Sequence, residues 1–389
     1  MPTLQRLNSI DLMRGLVIAL MALDHTRDFF SNALISPTDL NQTTPALFLT
    51  RWITHLCAPT FVFLAGSSAY LTVERHNMSR QRLAGYLLSR GFWLVFLEFT
   101  VVHFGWTFNW DLHYVIGQVI WVLGWSMVVL AGLIFLPRWS IMLFALITIT
   151  GHNFFDRIQS ADLQPWGWLW TFLHVRGSIG FLPGYSLFVL YPLIPWVGVM
   201  AAGYCFGKVF LLPESKRKFM LWFMVFFCIS TFLILRLPNI YGDPQPWTPQ
   251  KDWLFTVFSM LNFEKYPPSL LYLLMTLGIM MLGLVLFESK HSQRFGRALI
   301  IFGRVPMFFY VIHLLVIHSA MLIITWLRGF PIDWLYPLSF PKIPSADYGY
   351  DLAAVYGFWL VLLLLLYPLC YAYAGLRQRY PDNRWLSYL

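Results

Sequence analysis

Long apolar runs separated by short polar connectors carry the chain from end to end. A helix of about 20 apolar residues crosses the hydrocarbon core of a bilayer, and on that measure the pattern predicts about ten membrane-spanning helices. They fall at Ser9–Phe30, Leu49–Val73, Tyr86–Phe104, Val115–Leu136, Trp139–Thr150, Ser186–Phe210, Phe219–Leu235, Ser269–Phe287, Ala298–Thr325 and Leu352–Ala374. Trp139–Thr150 is the shortest, and the Trp-rich Trp166–Leu173 is expected to lie in the interface rather than to cross. A membrane barrel needs strands of alternating polarity, and none is evident. The expected fold class is all-α: a polytopic transmembrane helix bundle, with residues 1–389 forming a single integral membrane domain. The connectors Tyr241–Asp252 and Pro331–Tyr350, rich in Pro, Gly and aromatic residues, read as ordered outer loops that roof a site.

Composition agrees with this pattern. Of 389 residues, 58% are hydrophobic and 12% charged, where a soluble domain has about a quarter charged. Mean hydropathy is +0.61. The net charge of +9 does not point to nucleic acid, because the basic residues cluster in the short loops. With the N-terminus inside, the inward loops hold Arg75, Arg80 and Arg82, then Arg138, then Lys208 and Lys216–Lys218, then Lys290, Arg294 and Arg297, and finally Arg377, Arg379 and Arg384. The longer outward loops carry acidic residues such as Asp111, Asp156, Asp243 and Glu264. This bias places both termini in the cytoplasm. Arg6 before an apolar run imitates a leader, but Asp11 and Arg14 interrupt the run and no cleavage site precedes Asp24, so the segment reads as a retained first membrane helix. Cys57, Cys205, Cys228 and Cys370 all fall inside apolar runs without a C-x-x-C pair, and are expected to be small core residues.

The first helix, IDLMRGLVIALMALDHTRDFF, is the anomaly. Asp11 and Arg14 stand near one end; Asp24, His25, Arg27 and Asp28 crowd the other. The uncharged stretch Gly15–Leu23 rises only about 13–14 Å as helix, against a hydrocarbon core about 30 Å thick. Some of these groups must therefore face protein or a watered cavity. Arg14 and His25 are eleven residues apart, close to three full turns, so they share a helix face. They are separated by about 16 Å along the axis, too far to touch but within reach of one elongated ligand. A stack of structural salt bridges is the competing reading of the same spacing. Glu98, in the third span, reads as a site-lining group or a buried partner for Arg90 or Arg14. His55 lies in the outer half of the second span. His313 and His318 are five residues apart, so their rings face different ways; one is expected to line a polar site and the other to pack in the core. That spacing misses the i,i+4 pair of a helical metal site, and no metal is expected.

These stretches carry a resemblance. Arg14, ten residues, then His25 resembles the first-helix motif of the acyltransferase-3 family. The fuller pattern, Ser9, Asp11, Arg14-Gly15-Leu16 and Leu23-Asp24-His25, is similar to bacterial relatives of the heparan-alpha-glucosaminide N-acetyltransferase catalytic domain, within the same transmembrane acyltransferase superfamily. THLCAPTFVFLAGSSAYL, PLIPWVGVMAAGYCFGK and FGRVPMFFYVIHLLVIH agree, in order along most of the chain. The resemblance implies a bacterial inner-membrane enzyme that moves an acetyl group from cytoplasmic acetyl-CoA to a sugar amine or hydroxyl at the outer face. It implies acetyl-CoA, a carbohydrate or glycolipid acceptor and membrane lipid as partners, with a homodimer left open. His25 is the expected general base, oriented by Asp24 or Asp28, with Tyr310, His313 or His55 supporting the oxyanion. Asp11, Arg14, Arg304 and Tyr310 are expected to hold the acyl donor. Direct transfer is favoured over an acetyl-histidine intermediate. The rival readings are a proton-coupled small-molecule or lipid-linked transporter, since intramembrane Asp, Glu and His also serve proton relays, and a non-catalytic structural membrane protein.

Overall fold

The computed structural model describes residues 7–380 together with Asn383 and Leu386; Arg6 and Arg384 lie outside the described residues. In chain order the α-helices are α1 (Asn8–Phe30), α2 (Pro45–Thr54), α3 (Cys57–His76), α4 (Arg80–Leu97), α5 (His103–Thr107), α6 (Val119–Leu133), α7 (Arg138–Gly151) and α8 (Gly167–Leu173). They continue as α9 (Trp196–Phe206), α10 (Glu214–Arg236), α11 (Trp253–Leu261), α12 (Leu270–Phe287), α13 (Lys290–Phe295), α14 (Arg297–Arg304), α15 (Pro306–Leu327) and α16 (Leu352–Arg379). Helix accounts for 70% of the structure, so the helical class holds.

A helix lies at each of the ten expected positions, and among the described residues six spans are long and apolar enough to cross a membrane. These are Pro45–His76, Arg80–Thr107, Glu214–Arg236, Leu270–Phe287, Pro306–Leu327 and Leu352–Arg379. Their exposed side chains are large and apolar, as with Phe92 and Phe96 on α4, Phe223 and Phe226 on α10, and Leu364 and Leu365 on α16. Such faces suit lipid rather than water. The chain is an integral membrane protein.

Three details depart from the sequence reading. The second span breaks between α2 and α3, at His55 and Leu56. The span expected over Ala298–Thr325 is two helices parted at Val305, because Pro306 opens the second at a position that suits proline. The bundle is also not purely helical. The starts of two expected spans are strands, β1 (Tyr114–Gly117) and β3 (Tyr185–Val189), which join β2 (Gly177–Leu182) in a three-stranded sheet of order β1-β3-β2. β2 and β3 form an antiparallel hairpin with Leu182 opposite Tyr185. The turn between them is Pro183-Gly184, with Gly184 at φ 81°. Proline followed by glycine at positive φ is the chemistry of a type II turn.

Cα packing divides the chain into two compact units. The first contains Ala58–Glu98 and Ile116–Leu286. In it α3 and α9 approach at backbone distance: a Cβ on Gly66 would lie 2.0 Å from the carbonyl oxygen of Met200, and one on Gly203 2.0 Å from that of Phe63. Ser67 Oγ donates to the carbonyl of Gly203 at 2.9 Å. Gly66 and Gly203 belong to two of the motifs that carry the family resemblance, and their physical role is to let these helices touch. At the end of α10 the fully buried Arg236 guanidinium donates to the carbonyls of Gln245, Ser259, Met260 and Asn262, folding the following connector back onto the helix.

The second unit contains Leu7–Cys57, Phe99–Val115 and the chain from Phe287 onward. α1 is its centre, packed against α2, α14, α15 and α16. α1 and α14 also meet main chain to main chain. A Cβ on Gly15 would lie 1.7 Å from the Leu299 carbonyl oxygen, and one on Gly303 1.8 Å from that of Asp11.

Candidate active site

Both charged ends of α1 are resolved into defined partners within the second unit. At the N-terminal end Asp11 is almost fully buried. Its carboxylate lies 3.9 Å from Arg14 Nη1 and 3.8 Å from Arg304 Nε, so one acid aligns two arginines from α1 and α14. The close Gly15 and Gly303 crossing sets this geometry, since Arg304 follows Gly303 directly. The carbonyl of Arg304 accepts from Arg377 Nη1 on α16 at 3.0 Å. Lys290, Arg294 and Arg297, on α13 and at the start of α14, are exposed. Gly296 between those helices sits against Leu12 of α1. Three donor-binding residues expected from the sequence, Asp11, Arg14 and Arg304, are thus brought together.

The other end carries the histidines. His25 Nδ1 lies 2.8 Å from His313 Nε2, and His313 Nδ1 lies 3.1 Å from the carbonyl oxygen of Phe309. A carbonyl only accepts, so His313 carries its hydrogen on Nδ1. With both rings neutral, His313 then accepts at Nε2 and His25 donates from Nδ1, which puts the His25 lone pair on Nε2. His313 is fully buried, while His25 is half-buried. Around them, Trp106 meets His25 edge to face at 4.8 Å between centroids. Tyr310 lies 6.3 Å from His25 and 5.4 Å from His313 by the same measure.

The carboxylates expected to orient His25 are engaged by arginines. Asp24 pairs with Arg27 Nη1 at 2.9 Å and with Arg51 of α2. Asp28 accepts from Arg27 Nη2 at 2.7 Å. On α1 Arg27 is three residues past Asp24 and adjacent to Asp28, which puts the guanidinium between them. The group that meets His25 Nδ1 is therefore an imidazole. The sequence reading missed Arg51 and Trp106 as neighbours of this end. The one signal for Arg51 was a charge just before His55 in an otherwise apolar run.

His55 is buried at the break between α2 and α3. His318 turns away from His313, as their spacing predicted: its ring nitrogens face the carbonyls of Gly105 at 3.1 Å and Leu335 at 2.8 Å, and Phe108 stacks on it at 3.8 Å. Glu98, in the first unit, was read as a site-lining group or as a buried partner for an arginine. It instead accepts from the backbone N–H of Trp121 at 2.8 Å, in the first turn of α6. A carboxylate there satisfies free helix N–H groups and the helix dipole together.

The first unit holds a cluster the sequence reading did not single out. His152, Asp156 and His174 each offer an atom able to ligate a metal, all within 4.8 Å of one another. Burial pushes the His152 imidazole down to about 3, and the neighbouring His174 adds to this. Burial also lowers His174. It raises the Asp156 carboxyl to about 6, where the charges of Asp243 and Glu264 act in the same direction. The sequence trace is a His and an Asp four residues apart just after α7, with a second His closing α8.

The family model described as "Heparan-alpha-glucosaminide N-acetyltransferase, catalytic" matches residues 6–234, more than half of the chain. The chain belongs to that family. No curated protein matches it. As a member of the heparan-alpha-glucosaminide N-acetyltransferase catalytic family it is a membrane acyltransferase. The matched residues include Asp11, Arg14, Asp24, His25 and His55, whereas Arg304, Tyr310 and His313 lie beyond them. The α1 side of the Asp11–Arg304 and His25–His313 contacts thus comes from the family-matched part, and the other side from the remaining chain.

Proposed function

We propose that this protein transfers an acetyl group from cytoplasmic acetyl-CoA to a sugar amine or hydroxyl at the extracytoplasmic face. The observation that carries the reading is the His25–His313 pair, whose His25 stands on α1 about 16 Å along the helix from Arg14 of the Asp11–Arg14–Arg304 group. Acetyl-CoA is a polyanion with a long thin arm ending in a thioester. Arg14 and Arg304 bind its phosphates, because guanidinium matches phosphate oxygens, and the exposed Lys290, Arg294 and Arg297 add to the attraction. The arm runs along α1 towards His25.

There the acceptor nucleophile attacks the thioester carbonyl while its proton passes to His25 Nε2. The imidazolium so formed is held by His313, which accepts from Nδ1. The tetrahedral intermediate collapses with cleavage of the C–S bond, and the proton on His25 goes to the departing CoA sulfur. Tyr310, next to both rings, supports the oxyanion. Asp24 and Asp28, neutralised by Arg27 and Arg51, hold the end of α1 in place. Both termini lie in the cytoplasm, in keeping with the basic short loops, and the membrane is the bacterial inner membrane.

Two measurements test this. Acetyl-CoA, but not an uncharged acetyl thioester of the same arm length, raises the melting temperature of the purified protein. Mass spectrometry of glycans and lipids from cells with and without the gene shows an acetylated species that disappears with it. A protein indifferent to acetyl-CoA, from cells whose acetylated glycans and lipids are unchanged, refutes the reading.

A further inference from the structure

Outside the transfer site, the first unit contains a group of buried metal-ligating side chains that acetyl transfer does not use. His152 is 3% exposed and His174 is 1% exposed. Among the described residues, neither ring nitrogen of His152 has a hydrogen-bond partner, and Nδ1 of His174 has none. Buried polar atoms are nearly always satisfied. Three unsatisfied nitrogens on two neighbouring rings, beside a carboxylate, call for a species that accepts lone pairs.

The surrounding contacts have the form of an outer shell. His174 Nε2 donates to the carbonyl of His152 at 3.0 Å, which places its lone pair on Nδ1. Metal-bound histidines commonly anchor their second nitrogen on a carbonyl in this way. Asp156 Oδ2 accepts from Asn153 Nδ2 at 2.8 Å, and Oδ1 lies 3.8 Å from His174 Nε2. Asn153 Oδ1 in turn accepts from the backbone N–H of Leu270 at 3.0 Å, tying the turn to the start of α12. The His174 ring stacks on Trp170 at 4.8 Å between centroids, which fixes its plane.

We propose that His152, Asp156 and His174 bind a divalent transition-metal ion, with zinc the best match. Two imidazoles and a carboxylate form a mixed nitrogen and oxygen set of the kind zinc accepts. Magnesium and calcium prefer oxygen alone. Three protein ligands leave a fourth position for water or an incoming group. Bound there, the ion joins the turn after α7 to the end of α8 and, through Asn153, to α12. The proposal is independent of acetyl transfer.

The test uses full-length purified protein, stripped with a chelator, reloaded with zinc and dialysed. Zinc is expected at about one equivalent per chain, and the cobalt-loaded protein should show the visible ligand-field bands of a four- or five-coordinate site. Asn153→Ala is expected to weaken zinc binding by about 10–100-fold, the usual effect of removing an outer-shell partner. The double variant His152→Ala/His174→Ala should hold no zinc. Wild-type protein without stoichiometric zinc, or a cooperatively melting double variant that keeps it, overturns the proposal. If the double variant does not fold, the wild-type cobalt spectrum decides, and absence of those bands overturns it equally.

Discussion

The Nδ1 atom of His25 and the Nε2 atom of His313 are 2.8 Å apart, although 288 residues separate them in the chain. In the proposed transfer the pair acts as an imidazole relay, anchored on the Phe309 carbonyl. It gives His25 the two properties a general base needs: a defined tautomer and an acceptor for the proton that becomes shared once the ring is charged. In hydrolytic triads a carboxylate has that task, but here the nearby carboxylates are bound to arginines.

His25→Ala is expected to abolish acetyl transfer in a protein that still folds. His313→Ala should lower kcat by about 10²–10⁴ with little change in the KM for acetyl-CoA. His313→Gln should recover part of that loss, because an amide oxygen can also accept from His25 Nδ1. Steady-state rates of the three variants check the set, and a His313→Ala enzyme with wild-type kcat removes the relay.

Arg304→Ala removes one of the two guanidinium groups aligned by Asp11. It is expected to weaken acetyl-CoA binding by about tenfold, the loss of one charge-assisted contact of about 1.5 kcal/mol. Calorimetric titration with acetyl-CoA reads this directly. A variant that binds acetyl-CoA normally would separate this cluster from the acyl donor.

Arg236→Lys keeps the charge and loses the planar fork that reaches four carbonyls. Lysine has three donors on one atom and cannot span them. Destabilisation of about 3 kcal/mol is expected, from stranded buried acceptors and a poorly solvated charge. Thermal melting in detergent measures it, and the loop from Asn239 to Asn262 should become protease-sensitive first.

Asp243 gives a pH dependence with a definite sign. Burial pushes its carboxyl above the ordinary range, against the pull of hydrogen bonds from Ser269 and from the backbone of Gln245 and Glu264, and of the Arg236 charge. A folded-state pKa above the unfolded one means that stability is fully present below about 3.9, the unfolded value. It is lost as pH rises through the folded pKa. Asp243→Asn cannot titrate. The melting temperature of wild type minus that of the variant should therefore fall as pH rises from about 4, where the comparison starts near the unfolded value. A difference that grows with pH would show the opposite shift.

Much of this was legible where local rules dominate. The two charged ends of α1, the shared face of Arg14 and His25, and the opposed directions of His313 and His318 all follow from helical period and a charge-free stretch too short for a bilayer. Partner choice was not legible, because it is set by residues far apart in sequence. That Asp24 meets Arg51, that Glu98 meets a helix start and that His25 meets an imidazole depend on which helices become neighbours. The β2–β3 hairpin was hidden for another reason: its apolar strand residues continue a membrane-like run, so that only the Pro183-Gly184 turn marks it in the sequence. His152, Asp156 and His174 were not legible because they come from a turn and a helix end, which no helical spacing brings together.

The crossing of α1 and α14 at Gly15 and Gly303 has one last effect. Main chain resting on main chain leaves no rotamer to absorb thermal displacement, so the two helices move as one body there. Arg14 and Arg304, both held against Asp11, then keep a fixed mutual spacing, so that in the proposed reaction a ligand with several negative charges meets a preset ruler rather than two independent arms.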